Sequence, residues 1–448
     1  MVAEKLVRRY GLLTAICLVV GTVIGSGIFF RNDVVFAAVG GNMAMGIAAW
    51  VIGGIITLSF AYAFGTLASL DEDATGLTYF AQKMVGKKFG YLMSWYMATM
   101  FLPSITGILA WVSGRFTTVL FGFETNADFS GETYVFALFY LIVIYAMNEL
   151  SPKLSEKFHV TCTFIKVIPL IAMAIIGTVL GLVNGTTLAN MTDATYTYTG
   201  GNPFFAALIA TAFAYLGWDV VVSLSKEIKD VKKNLPKALT FGMGIVMTIY
   251  VAYFIGLFGA APIETLTGGS GVMNAFSRIF GSAAGTILFV FIIVSCLGTL
   301  NGLVMASGRM FYALSSNRTG PRQALFSQLD RATKMPANSM ALSLVIIACW
   351  MLADAGNHMG VYGDFFFDIP GLMPISFKVF MIPIFMGMII KEKQLGAFNR
   401  FVSPIIAIVG ALFLIYAIIY NQGMGVLVFA VVFIVLTAIG LVFEKSKS

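Results

Sequence analysis

Charged side chains are scarce in this sequence, since aspartate, glutamate, lysine and arginine make up only 11% of its 448 residues. Soluble proteins contain about 25% charged residues, and so few charges cannot cover a chain that is 59% hydrophobic. The composition therefore excludes a soluble globular protein and a disordered chain. It indicates a polytopic membrane protein, because about twelve spans of roughly 20–25 residues would use most of the chain.

Cysteine and histidine are also rare, with four and two residues. All four cysteines lie in apolar segments, which excludes a disulfide scaffold. His159 and His358 are far apart in the sequence, so we predict no metal site and no cofactor. A membrane-embedded enzyme would need a nucleophile with its base or a metal cluster, and the sequence offers neither. The net charge of +7 does not indicate nucleic-acid binding, because membrane proteins concentrate lysine and arginine in cytoplasmic loops.

Apolar runs separated by turn and charge signals predict twelve membrane spans, numbered here in chain order. They cover residues 11–39, 43–70, 89–121, 131–149, 155–182, 203–226, 237–260, 281–314, 337–355, 369–390, 401–420 and 423–443. With a cytoplasmic amino terminus, 23 of the 28 lysines and arginines fall in cytoplasmic segments and only Arg278 lies in an outside loop. We therefore predict that both termini are cytoplasmic.

Two spans contain glycines in the middle of the apolar run. Span 1 reads GTVIGSGIF, and span 6 reads FAYLGWD. One interpretation is close helix packing, for which membrane proteins use small residues. The spacing favours a second interpretation, an inverted repeat, because each break lies about 14 residues into the first span of a five-span block. Since five is an odd number, the second block would cross the membrane in the opposite orientation to the first. Interrupted helices at matching positions of inverted halves indicate a transporter site.

Broken helices can bind an amino acid through their backbones. Amide groups at the start of a half-helix attract a carboxylate. Carbonyl groups at the end of the other half accept hydrogen bonds from an ammonium group. One pair of broken spans can therefore hold both charged ends of an α-amino acid.

These motifs, with SKEIKDVKKNLPKAL and SCLGTLNGLVMASGRMFYAL, resemble the amino acid–polyamine–organocation superfamily, especially its L-type amino acid transporter branch and bacterial relatives. The resemblance covers residues 11–320, and spans 9–12 match mainly in hydropathy. It implies an all-helical, leucine-transporter-like fold with a 5+5 inverted repeat, in which residues 1–182 and 183–390 form the two halves and 391–448 add spans 11 and 12. It also implies that spans 1, 2, 6 and 7 rock against the remaining spans to give alternating access.

The resemblance also assigns roles to residues at the two breaks. The amide groups of Ser26 and Gly27, which follow Gly25, would hold the substrate carboxylate. The carbonyl groups expected to hold the ammonium group belong to Val23, Phe213, Ala214 and Leu216. Phe213 would close the site from outside, and Asp219 and Asn301 would line the side-chain pocket.

The sequence departs from the branch near this pocket. Leu216 replaces a small or polar residue, so it would favour smaller substrates or would point away. Val220 and Val221 replace a polar pair and make the pocket more apolar. Asp219 would pair with a cationic substrate or with an internal partner. The loop at residues 122–131 lacks the cysteine that links eukaryotic members to a heavy subunit, so we expect no disulfide-linked partner.

Four basic residues lie within the spans, where a charge needs a partner, a cavity or a route to the surface. Arg115, near the outer end of span 3, is expected to reach the surface. The resemblance implies that Lys166 of span 5 replaces the cation of sodium-coupled members. A permanently charged lysine would favour exchange, whereas a lysine that releases its proton would couple transport to protons. A purely structural lysine is the third possibility. Lys378 of span 10 would pair with Asp219 or Asp368. Arg31 would form an outer gate with Asp364 or Asp368, or be a charge with no gating role.

The sequence thus predicts a multi-pass protein of the cell membrane that exchanges neutral, small-to-medium L-amino acids without sodium. Proton-coupled symport and an exchanger that accepts cationic amino acids remain open. An amino acid sensor on the same fold would need a signalling domain, and no segment of the sequence has the features of one. A polyamine antiporter would need several acidic residues in the pocket, where only Asp219 is expected.

Overall fold

A computed structural model of the chain describes residues 10–71, 76–123, 130–192, 198, 200–223, 228–267, 271–365 and 367–444. Across these ranges the protein is helical, and extended pairing is limited to a single bridge between Tyr10 and Ile228. Eleven helices are long and apolar enough to cross a membrane, and a bent pair of helices supplies a twelfth candidate. The all-helical class and the number of predicted spans are confirmed.

Span 1 is the bent pair, with its halves Leu12–Val23 and Gly27–Val39 inclined at 52°. Spans 2–12 follow as Met43–Leu70, Lys87–Leu120, Gly131–Leu150, Pro152–Val183, Pro203–Val222, Val231–Ala260, Ser282–Ser316, Ala337–His358, Ile369–Lys391, Phe398–Gln422 and Met424–Glu444. The connections contain the short helices Leu77–Met84, Thr186–Thr192, Ile263–Leu266, Gly271–Phe280 and Gln323–Phe326, and the 3₁₀ turn Gly363–Phe365.

Most span ends lie within a few residues of the prediction, and span 7 is the exception. Its helix begins at Val231 rather than at residue 237. The first turns carry Lys232 and Lys233, which are exposed, so hydropathy detects the span only where the apolar run begins. The predicted end of span 6, at 226, lies outside the described residues.

Prolines explain two local interruptions within spans. Span 5 is interrupted at Lys166, three residues before Pro169, and span 3 has a wide-turn segment, Met97–Phe101, just before Pro103. Proline has no amide hydrogen and its ring crowds the preceding turn, so the helix ladder is disturbed on the amino-terminal side of the ring. The interruption in span 5 coincides with the lysine that the sequence analysis singles out.

Spans 1, 2, 6 and 7 pack against one another in the part of the chain that the structure describes. Span 7 lies along span 2 and the first half of span 1, while the second half of span 1 lies along span 6. Trp50, Tyr215 and Tyr250 join three of these spans through ring contacts of 5.2–5.8 Å between centroids. This packing brings the interruptions of spans 1 and 6 to the same place.

Candidate substrate site at the two broken spans

The helix of span 1 stops at Val23 and restarts at Gly27, which leaves Ile24, Gly25 and Ser26 outside regular helix. Ser26 is buried. Its side chain does not cap the new helix, and no backbone carbonyl of the described residues accepts a hydrogen bond from the amides of Ser26 or Gly27. The second half of span 1 therefore begins with amide groups that a carboxylate can bind.

Span 6 is interrupted around Gly217. Its first half, Pro203–Ala214, ends before residues 215–218, and helix resumes at Asp219. Gly217 lies in this gap with a φ of 106°, a conformation that favours glycine. A β-carbon at Gly217 would lie 2.6 Å from the carbonyl oxygen of Thr22 in span 1. The gap in span 6 thus depends on glycine for both its conformation and its packing.

The two breaks also touch where the second half of span 1 begins. A β-carbon at Gly27 would lie 2.8 Å from Cα of Ala214. Because Ala214 ends one half-helix and Gly27 begins another, carbonyl groups and amide groups face the same small region. This is the backbone arrangement that the sequence analysis expects for binding both ends of an amino acid.

Tyr250 of span 7 joins the breaks, and the sequence analysis missed it. Its hydroxyl group lies 2.9 Å from the carbonyl oxygen of Val23 and 3.1 Å from that of Ala214, and it donates its proton to these two acceptors. The ring is fully buried. A buried tyrosine needs a partner for its hydroxyl group. A tyrosine in the middle of an apolar span was therefore the sequence signal that could have marked Tyr250 as a functional residue.

Lys166 reaches span 1 from the interruption in span 5. Its Nζ donates a hydrogen bond to the carbonyl oxygen of Gly21, two residues before the first half-helix ends. The residue is only 5% exposed. The structure therefore brings Lys166 to the broken span that the sequence analysis expects it to contact.

Phe213 lies over the breaks in contact with a second aromatic ring. Its ring meets that of Phe30 edge to face, with 5.1 Å between the centroids, and both residues are buried. The carbonyl oxygen of Phe213 accepts a hydrogen bond from the amide of Leu216 at 3.1 Å. Leu216 is half-buried and packs against the hydrophobic core, so its bulk lies within the protein.

Span 8 contributes Thr299 to the break of span 1, because a β-carbon at Gly25 would lie 3.1 Å from the Thr299 hydroxyl oxygen. The structure does not bring Asn301 to the breaks. Its Oδ1 accepts from Asn148 at 2.7 Å and from Ser155 at 3.0 Å, and its Nδ2 donates to the carbonyl oxygen of Ser155. The Asn301 amide thus ties span 8 to spans 4 and 5.

Asp219, which is half-buried, and Lys378, which is buried, attract each other between spans 6 and 10 without forming an ion pair within 4 Å. The Asp219 carboxylate accepts a hydrogen bond from the Gly217 amide and attracts the Lys378 ammonium group. Lys378 is 3% exposed, and its Nζ lies 6.0 Å from the ring centre of Phe60. Of the two partners suggested for Lys378, Asp219 is the one whose charge acts on it.

Arg31 and Asp368 meet on the side predicted to be extracytoplasmic, which we call the outer side. An Nη of Arg31 lies 3.6 Å from the Asp368 carboxylate, which also accepts from Gln422 at 3.2 Å. The side chain of Asp364, the alternative partner, lies outside the described residues. In the described part of the chain, no three histidine, cysteine, aspartate or glutamate residues are arranged to hold a metal ion.

Comparison with known proteins identifies the family. A family model described as amino acid permease matches residues 10–443. The chain belongs to this family. The assignment agrees with the multiple apolar spans, so the protein is a multi-pass membrane transporter, and the resemblance stated from its motifs is confirmed.

Three relatives match most of the chain. Over 428 residues it is 27% identical to the serine/threonine exchanger SteT of Bacillus subtilis (strain 168), which covers 93% of this chain and 92% of the relative. It is 25% identical to the b(0,+)-type amino acid transporter 1 of Mus musculus, covering 96% and 86%. It is 23% identical to the methylthioribose transporter of Bacillus subtilis (strain 168), covering 77% and 75%. The relatives thus include amino acid exchangers and transporters.

Proposed function

We propose that the protein is a secondary active transporter that exchanges neutral, small-to-medium L-amino acids without sodium, by alternating access between two inverted halves at residues 1–182 and 183–390. The observation that carries the proposal is the contact between the breaks of spans 1 and 6. There the free amides that begin one half-helix lie beside the last carbonyl groups of another. A zwitterionic α-amino acid presents the complementary charges on two groups that share one carbon atom.

In this proposal the backbone binds the charged ends of the substrate. The carboxylate binds the amides of Ser26 and Gly27. The carbonyl groups that bind the ammonium group are those of Val23, Phe213, Ala214 and Leu216. Tyr250 donates to the first and third of these in the structure, so the substrate ammonium displaces a neutral donor and offers three hydrogen atoms in place of one.

Lys166 accounts for the absence of a sodium requirement in this proposal. The Lys166 ammonium group donates a hydrogen bond to the Gly21 carbonyl group near the end of the first half-helix. The negative end of the helix dipole favours a cation there. A fixed lysine cannot leave with the substrate. Transport in one direction then has to be balanced by substrate moving in the other, which is exchange.

The nearby charges favour a neutral substrate. Lys378 attracts Asp219, so in this proposal an internal cation competes with a cationic side chain for this carboxylate. In this proposal the bulk of Leu216 also limits the size of the pocket, and one relative is named a serine/threonine exchanger. We therefore place small neutral amino acids first and cationic amino acids second.

Two layers close the outer side of the site in this proposal. Phe213 with Phe30 forms an aromatic layer directly over the breaks. Arg31 with Asp368 forms an ion pair further out, between spans 1 and 10. Release of the substrate to the outside requires both contacts to open.

Proton-coupled symport is the second candidate, and Lys166 is the observation that favours it. A buried lysine next to the site can release its proton when the site changes access. Both candidates use the same residue, so they are separated by what drives uptake and not by where substrate binds.

The test is uptake of radiolabelled L-serine and L-threonine into proteoliposomes, with the lumen empty or filled with unlabelled amino acid. Exchange predicts uptake only into filled vesicles, unchanged by an inward proton gradient or by replacing sodium with choline. Gradient-driven uptake into empty vesicles would establish the symporter in its place. Absence of uptake for any amino acid in correctly inserted protein would contradict both.

A further inference from the structure

Span 11 lies outside the two inverted halves, but its contacts lead to the spans that alternating access would move. We call spans 1, 2, 6 and 7 the moving group. At the predicted cytoplasmic end of span 11, Asn399 accepts a hydrogen bond at 2.8 Å from the hydroxyl group of Tyr62 in span 2. Near the middle of the span, a β-carbon at Gly410 would lie 2.8 Å from Cγ2 of Ile56, also in span 2. Span 11 therefore packs closely along one member of the moving group.

The outer end of span 11 holds the start of span 6, a second member of the moving group. The Asn421 amide makes two hydrogen bonds to the backbone of Asn202, since its Nδ2 donates to the carbonyl oxygen and its Oδ1 accepts from the amide group, both at 3.1 Å. The ring of Phe205 meets three rings of span 11 edge to face at 5.6–5.9 Å between centroids: Phe413, Tyr416 and Tyr420. Such pairs stabilise beyond the area that they bury, so span 11 and the first half of span 6 form one packed unit.

Span 12 is held by span 3, which is one of the spans against which the moving group would rock. The Tyr91 hydroxyl group donates to the carbonyl oxygen of Gly440, and the Trp95 indole donates to that of Leu436, both at 2.8 Å. A β-carbon at Gly440 would lie 2.6 Å from the Trp95 ring, so spans 3 and 12 are in direct contact. Spans 11 and 12 are adjacent in the chain but are thus attached to different groups of spans.

A single glycine, Gly423, separates these two spans. Span 11 ends at Gln422 and span 12 begins at Met424. Gly423 has a φ of 47°, and a β-carbon there would have no heavy atom of the described residues within 4 Å. Glycine adopts positive and negative φ about equally readily, so this turn can change the angle between spans 11 and 12 at little cost.

Gln422, next to this turn, reaches the ion pair on the outer side. Its Nε2 donates to Oδ2 of Asp368 at 3.2 Å, and the same oxygen lies 3.6 Å from an Nη of Arg31. One carboxylate oxygen therefore faces a donor from span 1 and a donor from span 11. Asp368 immediately precedes span 10, and span 10 contacts span 3 through the stacked rings of Phe377 and Phe101, whose centroids are 4.3 Å apart. Both donors thus come from the side of the moving group, and their acceptor is attached to the remaining spans.

We propose that span 11 moves with spans 1, 2, 6 and 7, that Gly423 is its hinge toward span 12, and that Gln422 is a positioning residue of the outer gate. When the outer side closes, Arg31 and Gln422 reach Asp368 together, and when it opens both leave. The hydrogen bond from Gln422 holds the carboxylate where Arg31 meets it. The inference rests on the proposed function, because it takes alternating access by the moving group as given.

Disulfide bonds between spans test which spans move together. A β-carbon at Gly410 would lie 3.4 Å from Cβ of Ile56, close to the roughly 3.5–4.5 Å found in disulfides. The full chain, with its four native cysteines replaced by alanine, is reconstituted in proteoliposomes. Ile56→Cys with Gly410→Cys should then show the same L-serine exchange before and after oxidation, because the two spans move as one unit. Gly308→Cys with Met340→Cys is the matched control, since its disulfide would join spans 8 and 9 over a Cβ separation of 3.5 Å and also leaves exchange unchanged.

A bridge between the two groups of spans is the opposite control. Asp33→Cys with Arg115→Cys places thiols on spans 1 and 3, where the native charged groups lie 3.4 Å apart, and a bifunctional thiol reagent that joins them should stop exchange. If oxidation of the cysteines at 56 and 410 also stopped exchange, and reduction restored it, span 11 would belong to the remaining spans and the inference would be overturned. Absence of L-serine exchange in the unmodified protein would instead contradict the proposed function itself.

The role of Gln422 is tested by the rate at which bound radiolabelled L-serine leaves to the outside. Gln422→Met keeps the length of the side chain but removes the donor to Asp368, so release should be about two- to threefold faster. In an Asp368→Ala background, which has no acceptor at the gate, the same change should add nothing, because the two side chains act through one contact. Equal acceleration in both backgrounds would overturn the assignment of Gln422 to the gate.

Discussion

Replacement of Lys166 by methionine tests the proposal that this lysine takes the place of sodium. Methionine is unbranched, uncharged and close to the length of the lysine stem, so it fills the same space next to span 1. The change removes the hydrogen bond from Nζ to the Gly21 carbonyl group. Because Lys166 is only 5% exposed, bulk water cannot take its place at that carbonyl group.

The size of the effect follows from the type of bond. A hydrogen bond to a charged group contributes about 1.5–3 kcal/mol. Each 1.4 kcal/mol corresponds to about a tenfold change in an equilibrium, so we expect the exchange of L-serine to fall by roughly 10- to 150-fold. The loss should occur at equal protein yield, since the first half of span 1 keeps its remaining helical hydrogen bonds.

The assay is exchange of radiolabelled L-serine in proteoliposomes that contain equal amounts of inserted protein. Lys157→Met is the matched control, because Lys157 lies on the same span and is exposed, so its loss should leave exchange near that of the unmodified protein. Full exchange in Lys166→Met would refute the assignment of Lys166. Selective loss of proton-driven uptake would instead make Lys166 the proton carrier of a symporter.

Three further predictions concern the neighbouring contacts. Tyr250→Phe removes the donor that the substrate ammonium has to displace from two carbonyl groups, so a gain of about 1 kcal/mol should tighten the binding of L-serine about fivefold; unchanged affinity would show that the hydroxyl group does not compete with the substrate. Asp368→Asn takes the carboxylate from Arg31, and bound L-serine should dissociate a few times faster, whereas an equal dissociation rate would exclude the gate. Asp219→Asn and Lys378→Met should each lower the thermal stability, because each leaves one uncompensated buried charge, and the double variant should recover part of the loss. Purely additive losses in the thermal midpoint would mean that the two side chains do not interact.

The features that the sequence predicts well are local. Hydropathy requires a run of about 20 residues and no knowledge of neighbours, so the spans emerge with their correct number. Glycine acts through its own conformational freedom, and for this reason both breaks, near Gly25 and Gly217, could be located from the amino-acid sequence alone. Span 7 shows the limit of hydropathy, since its first turns are helical but too charged to be detected.

The side-chain partners could not be predicted in the same way, because they come from spans that are distant in the sequence. Tyr250 lies 227 residues from Val23, whose carbonyl group it binds. Asn301 matches the family pattern by position, yet the asparagine and serine that hold its amide belong to spans 4 and 5. A position within a motif determines which span a residue occupies, whereas the rotation and packing of that span determine what its side chain contacts.

The buried cations show how these contacts bear on mechanism. Among the described residues the buried cations are Arg31, Lys166 and Lys378. Arg31 is paired with Asp368 and Lys378 is attracted by Asp219, whereas Lys166, which reaches the break of span 1, is bonded to a carbonyl group. An isolated charge at this depth costs several kcal/mol, and Lys166 is located where carbonyl groups at a half-helix end partly offset that cost.

A zwitterion leaves the net charge around Lys166 unchanged when it binds and when it leaves, whereas a cationic amino acid would add a second positive charge beside Lys166. The charge distribution at the breaks is therefore a reason for the proposed neutral substrates that does not depend on the size of the pocket.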